Sequence, residues 1–268
     1  MAKTFGTLGG STFVWNGVKQ DYNFIETLNC LYDLCDEIAV AYGGDDGTVE
    51  AIDAWSYTKD WSNKSIQGVR IPQEDWDAQV GREKLSYFSN IAIDMLSTEF
   101  NFYLQADEIL HEDSFYAVRA AIEHGDDVDA FMVRRYNLFK DPYHLLNVPQ
   151  ERKPCSTEVI RLARTQYRCV DDAESIAAPR VAVFGDLDTI VIFHMGFVRD
   201  KKKMLVKVRH MLTEVFGWSN DTRAEDCEEF MWDRFFKEDD LIQIPKPLPK
   251  YIQRWAEDRY PTTKNPFM

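Results

Sequence analysis

The strongest constraint on the fold is a change of hydrophobic period early in the chain. Phe24, Leu28, Leu31, Tyr32 and Cys35 recur at helical spacing, and the chain then runs directly into Ile38 to Tyr42, a continuous apolar stretch of strand length. β-prone pieces at Thr4 to Leu8 and Thr12 to Trp15 precede this helix, separated by Gly9, Gly10 and Ser11 and followed by an Asn16-Gly17 turn. Strand, helix, strand is a βαβ unit, which implies a parallel sheet. The alternation continues with a helix from Val49, a strand over Ile66 to Ile71, an amphipathic helix through Leu85, Phe88, Ala92, Met95 and Leu96, and a strand ending at Leu104. After the helix of Phe115, Val118, Ala121 and Ile122 the pattern changes. Ala130 to Phe139, Val159 to Ala163, Val181 to Phe184 and Thr189 to Phe193 are all β-prone, so the second half should extend the sheet with antiparallel or mixed strands. The predicted class is α/β, a mostly parallel central sheet flanked by helices.

Beyond the last of these strands, Lys201 to Lys203 open a helix with Met204, Leu205, Val208, Met211, Leu212 and Val215 on its apolar face. A helix over Glu225 to Phe236 and a segment with Pro245, Pro247 and Pro249 read as a C-terminal helical extension packed on the main domain. Lys plus Arg number 31 against 45 Asp plus Glu, a formal charge of −14 that disfavours nucleic acid as the main ligand. Cys30, Cys35, Cys155, Cys169 and Cys227 are odd in number and form no C-x-x-C pair, which suggests neither a disulfide framework nor a zinc site and fits a reducing cytoplasm. No apolar run approaches the roughly 20 residues of a membrane span.

Two strand ends are acidic. The second strand runs into Gly43, Gly44, Asp45, Asp46, Gly47 and Thr48, and the fourth into Gln105, Ala106, Asp107 and Glu108. Ligands of open α/β sheets bind outside the carboxyl ends of the strands, where a carboxylate can hold a divalent cation and the cation a phosphate. The alternatives are a polar turn capping the next helix at Asp46 or Thr48, and a solvated helix start at Asp107, Glu108, Glu112 and Asp113.

At these residues the chain resembles the family 2-like glycosyltransferases of the GT-A type, in the branch whose central motif reads Q-A-D-E-x-x-H-E. The matching stretches are Asp21 to Leu28, Cys35 to Thr48, Gln105 to Glu112 and His194 to Arg199, in that order, within roughly residues 11 to 210. The resemblance implies a Rossmann-like GT-A domain over 1–210, with a nucleotide-sugar-binding half at 1–125 and an acceptor half at 126–210, and the helical extension at 211–268. It implies transfer of a sugar from a nucleoside diphosphate donor to an acceptor hydroxyl, with Mn2+ or Mg2+ held by Asp107 and His194. Trp15, Asn16, Asp45, Asp46, Gln105, Ala106, Asp107 and Arg199 fall at its donor-binding positions. Two departures stand out. Gln105 replaces the usual first acid of the D-x-D pair, and Trp15-Asn16 stands where an Arg-Asn pair is common. For the base that would take the acceptor's proton, the candidates are Asp172 and Glu158.

The lysine run has no acidic partner at i−4 from Lys203, since Arg199 holds that place, and this predicts that 200–207 is free to close on the donor. Two rival readings are a nucleotide-sugar-binding protein without transfer activity, and a DNA base glycosyltransferase using the patch of Lys201 to Lys203, Lys207 and Arg209.

Overall fold

A computed structural model describes residues 6–148, 155–199, 201–215, 217, 240–261, 263 and 265–267, with only the backbone described at Lys201, Glu214 and Val215. The expected helix over Glu225 to Phe236 lies outside the described residues.

The N-terminal part alternates as its period dictates: β1 (Leu8–Trp15), α1 (Phe24–Leu34), β2 (Glu37–Gly43), α2 (Thr48–Tyr57), β3 (Ser65–Arg70), α3 (Gln73–Ala78), α4 (Glu83–Asp94) and β4 (Phe100–Tyr103). These strands lie in the order β3-β2-β1-β4, and every neighbour in that set is parallel. The chain therefore steps outward from β1 to β3 and then crosses back to the other side of β1. That reversal leaves a crevice between the carboxyl ends of β1 and β4, the usual ligand position in such sheets.

One departure from the sequence reading concerns β1. Gly9, Gly10 and Ser11 do not break it, and the strand runs unbroken from Leu8 to Trp15. The glycines are there for packing, since a Cβ at Gly9 would stand 2.4 Å from Thr98 Oγ1 and 2.8 Å from a Leu96 methyl. The helix and loop beside β1 press on bare backbone.

The second half follows as β5 (Glu108–Leu110), α5 (Phe115–His124), β6 (Ala130–Phe139), β7 (His144–Leu146), β8 (Glu158–Arg164), β9 (Arg168–Val170), β10 (Ser175–Ala177), β11 (Val181–Ala182) and β12 (Val191–Phe197). Here the pairing is mixed, as expected: β8 is antiparallel to β4 and β6, and β12 is parallel to β6 and antiparallel to β5. Then come α6 (Lys201–His210), a π-helical turn (Met211–Val215), β13 (Leu241–Gln243) and α7 (Lys250–Arg259). Strand β13 extends the sheet through β7, and Ile252 and Ala256 of α7 join the main core. Among the described residues no helix is long and apolar enough to cross a membrane.

Candidate active site

The chain leaves β4 at Tyr103 and turns through Gln105, Ala106 and Asp107 into β5. Strand β12 runs between β5 and β6, with His194 opposite Glu108 on one side and Asn137 on the other, and Met195 N donates to Asp107 O at 2.7 Å. Strand pairing thus brings the end of the Q-A-D-E motif to the histidine motif. His194 Nε2 stands 3.7 Å from Asp107 Oδ1, and both side chains are buried.

The tautomer of His194 follows from its neighbours. Asn137 donates through Nδ2 to Ser156 O at 3.2 Å, so its Oδ1 accepts from His194 Nδ1 at 3.0 Å. Nε2 then presents a lone pair to the carboxylate. Burial pushes the imidazole down to about 4, against the pull of the Asp107 charge, so it is neutral near pH 7. A lone pair and a carboxylate oxygen facing each other across a short gap form a place for a cation. The gap is kept open at Gly196, where a Cβ would stand 2.3 Å from His194 Nε2 and 3.1 Å from Asp107 Oδ2. These residues fit a divalent ion that draws the rest of its shell from a ligand and water. Among the described residues no cluster of three or more His, Cys, Asp or Glu supplies a fuller cage.

Lys207 already approaches this carboxylate from α6. Its Nζ donates to Asp107 Oδ2 at 2.9 Å and to Gly196 O at 3.1 Å. Burial raises the Asp107 pKa, but Lys207 and His194 more than offset it and hold the carboxyl far below its ordinary range. Burial in turn lowers Lys207 to about 8. The rings of Tyr22 and Phe197 lie 5.0 Å and 5.8 Å from the ammonium.

Glu108, next in sequence, is closed off from the site. It accepts from Arg161 at 2.8 Å and 2.7 Å, from Arg135 at 3.2 Å, and from the backbone of Gln105 at 3.1 Å. Arg135 also pairs with Glu174, which holds Ser156 N at 2.7 Å. This buried lattice fixes the floor on which Asp107 and His194 stand. Glu108 is the start of a strand and fully buried, so the reading as a solvated helix start is overturned for Asp107 and Glu108 by their buried cationic partners, while Glu112 and Asp113 do form the acidic turn that opens α5.

A cavity of about 350 Å³ opens over this floor, within the usual range for small-molecule sites. Trp15, Gln105, Ala106, Asp107, Asp172 and His194 line it. On one side an aromatic wall forms, with Trp15 stacked on Trp76 at 4.4 Å and 9° and Trp76 on Phe88 at 5.4 Å. Gln105 Nε2 reaches Ala173 O at 3.2 Å, and Asp172 pairs with Arg82 at 3.1 Å.

The other expected residues lie apart from the lining. Glu158 is exposed at the start of β8 and pairs with Arg134 at 3.3 Å. Asn16 accepts from Asp45 N at 3.1 Å, and Asp45 itself is exposed. Asp46 accepts from Thr48 N at 3.1 Å, Thr48 Oγ1 at 2.6 Å and Lys19 N at 2.5 Å, a polar turn as the alternative reading had it, although the N-cap position of α2 falls on Gly47 and not on Asp46 or Thr48. Arg199 is buried, with its guanidinium 5.5 Å from the Tyr22 ring, and among the described residues none of its three nitrogens has a hydrogen-bond partner.

Three sequence expectations change. His194 lies inside β12, not after a strand, because β5 and β6 pair with it through that residue, and the register shifts only between His194 and Phe197. Lys203 has an acidic partner after all, at long range: Asp21, which accepts at 3.0 Å and also takes Arg259 at 2.8 Å. Two lysines of the supposed basic patch, Lys203 and Lys207, are thus engaged with carboxylates. Lys207, Trp76 and the Arg135, Arg161 and Glu174 lattice were not singled out as site residues, although two arginines inside apolar strands are a readable sign of buried charge.

No protein-family model and no curated protein matches the chain. Among solved structures it is similar to S. aureus TarS in complex with UDP, at 13% identity over 84% of this chain and 69% of that one, with a TM-score of 0.44. It is similar to the mannosyltransferase PcManGT from Pyrobaculum calidifontis in complex with GDP-Man and Mn2+, at 13% identity over 79% and 63%, TM-score 0.45. A third is glucosyl-3-phosphoglycerate synthase from Mycobacterium tuberculosis in complex with Mn2+, UDP and phosphoglyceric acid, at 12% identity over 60% and 56%, TM-score 0.39.

Proposed function

We propose that this chain is a glycosyltransferase that moves a sugar from a nucleoside diphosphate donor to an acceptor hydroxyl, with Mn2+ or Mg2+ held by Asp107 and His194. The observation that carries this reading is the meeting of two distant motifs: Asp107 Oδ1 and His194 Nε2 lie 3.7 Å apart in a cavity at the sheet's reversal point. That pair supports the GT-A resemblance of the four motifs, and its carboxylate and imidazole suit manganese better than magnesium. When bound, the ion would neutralise charge developing on the departing diphosphate.

The chain's own residues divide the remaining work. The Trp15 and Trp76 wall is a stacking surface for the donor's base, and Gln105 and Ala106 form the adjacent floor. Arg199, buried behind the Tyr22 ring that lines the cavity and without a hydrogen-bond partner among the described residues, is the further cation that a diphosphate there would draw on. Of the two candidate bases, Asp172 is the one at the cavity, and its pairing with Arg82 keeps a carboxylate aimed there.

Thermal shift against a panel of nucleotide sugars, with and without Mn2+, tests the reading. A cognate donor at 100 times its Kd should add about 2.7 kcal/mol of apparent stability, and more with Mn2+ than without. Failure of every donor to stabilise the protein, together with no donor hydrolysis in the presence of Mn2+, would overturn it.

A further inference from the structure

Among the described side chains of α6, one lysine is buried. Lys207 lies between Met204 and Val208, which pack with Leu212 against Phe139, Leu146 and Val148, and it is as buried as they are. Its ammonium takes one of the two oxygens of the carboxylate assigned above to the cation. Resting on that assignment, we propose that Lys207 is a tethered counter-cation. It holds Asp107 while the donor site is empty, passes to the diphosphate when the donor binds, and so releases Asp107 to the divalent ion.

Charge favours this exchange. Among the described residues, Asp107, Lys207 and Arg199 together leave one net positive charge in a buried region, since no carboxylate there is hydrogen-bonded to the Arg199 guanidinium. A divalent ion entering alone would raise that to three positive charges at low dielectric, and a doubly charged diphosphate entering alone would reverse its sign. The two entering together leave the balance unchanged.

Geometry agrees. Lys207 Nζ and Arg199 Cζ lie 5.0 Å and 5.5 Å from the centre of one ring, Tyr22, which itself lines the cavity, and the Arg199 charge acts on Lys207. Two of the ammonium's three N–H groups are used, by Asp107 and Gly196 O, and Lys207 also lines the cavity. A short swing of a four-carbon stem is enough to change partners.

Mn2+ binding followed by electron paramagnetic resonance, first with Mn2+ alone and then with inorganic pyrophosphate, tests the exchange. Wild-type protein should take up Mn2+ weakly alone and more tightly with pyrophosphate. Lys207→Met should bind Mn2+ alone about tenfold or more tightly than wild type, because a competing charge is gone, and should bind pyrophosphate less well. Lys207→Gln keeps an N–H for Asp107 without the charge and gives the same comparison if the methionine variant does not fold. Folded variants that bind Mn2+ alone no better than wild type would remove this role for Lys207. If wild type takes up no Mn2+ even with pyrophosphate, the Asp107 and His194 cation site itself fails, a result distinct from the first.

Discussion

The two acidic strand ends of this protein look alike in sequence and differ in almost every physical respect. At the end of β2, Asp45 is exposed and Asp46 spends one oxygen on Thr48 at the start of α2 and the other on the backbone N–H of Lys19 in the adjoining loop. At the end of β4, Asp107 and Glu108 are buried, and their partners are cations from distant elements: Lys207 on α6, Arg135 on β6 and Arg161 on β8. A carboxylate satisfied by its own turn serves local structure. One satisfied only by a distant charge depends on the whole fold, and where that charge is a single lysine it can change partners.

The largest expected effect tests the fold-dependent end. Arg161→Met leaves Glu108 buried with too few positive partners, and breaking such a pair costs about 3–5 kcal/mol. Urea unfolding should show it, and a loss below about 1 kcal/mol would mean that Arg135 alone satisfies Glu108. The same pair sets an acid limit. Burial raises the Glu108 pKa, but Arg161 and Arg135 more than compensate and hold it below the ordinary 4.5. The unfolded chain therefore takes up its proton first as pH falls, so this contribution is complete above pH 4.5 and is lost below it. Arg161→Met should flatten the stability profile in that acid range, and an unchanged slope would assign acid unfolding to other groups.

Next in size is the contrast in chemistry. Asp107→Asn should lower transfer at least about 100-fold, the scale of losing a main electrostatic stabiliser. Asp46→Asn should leave turnover within a few-fold. Equal losses in the two variants, by initial rates at saturating donor and Mn2+, would erase the distinction between the two ends. Asp46→Ala should instead cost about 1 kcal/mol of stability, as loss of a helix-start hydrogen bond does.

Much of this was readable in the sequence. The parallel half of the sheet follows from alternating periods, and the resemblance had already set Asp107 and His194 on one ion. The mode of their meeting was not readable, since pairing of β5 with β12 is a long-range event and the three residues of β5 give too short a pattern to see. Lys207 was hidden for another reason. Beside Lys201 to Lys203 it reads as one more solvated charge, although its position three residues after Met204 and one before Val208 places it on the inward face. Arg135 and Arg161 were legible as charges within apolar strands, but their shared partner was not, because the long-range pairing of β5 with β12, β12 with β6, and β6 with β8 brings them to Glu108.

The smallest expected effect concerns Asp45. The resemblance places it at the donor's base, while the structure leaves it exposed, its backbone N–H donating to Asn16. These are compatible, because Asn16 follows Trp15, whose ring forms the stacking wall, so the turn borders that end of the cavity. A hydrogen bond from an exposed carboxylate to an uncharged base is worth little in water and is equal in ground and transition states. Asp45→Ala should therefore raise the donor's Kd by about three- to tenfold and leave kcat unchanged. Calorimetric titration with the cognate donor and a kcat measurement separate the outcomes. Unchanged affinity would make the β2 end wholly structural, whereas normal affinity with collapsed turnover would move Asp45 from the base to the reacting centre.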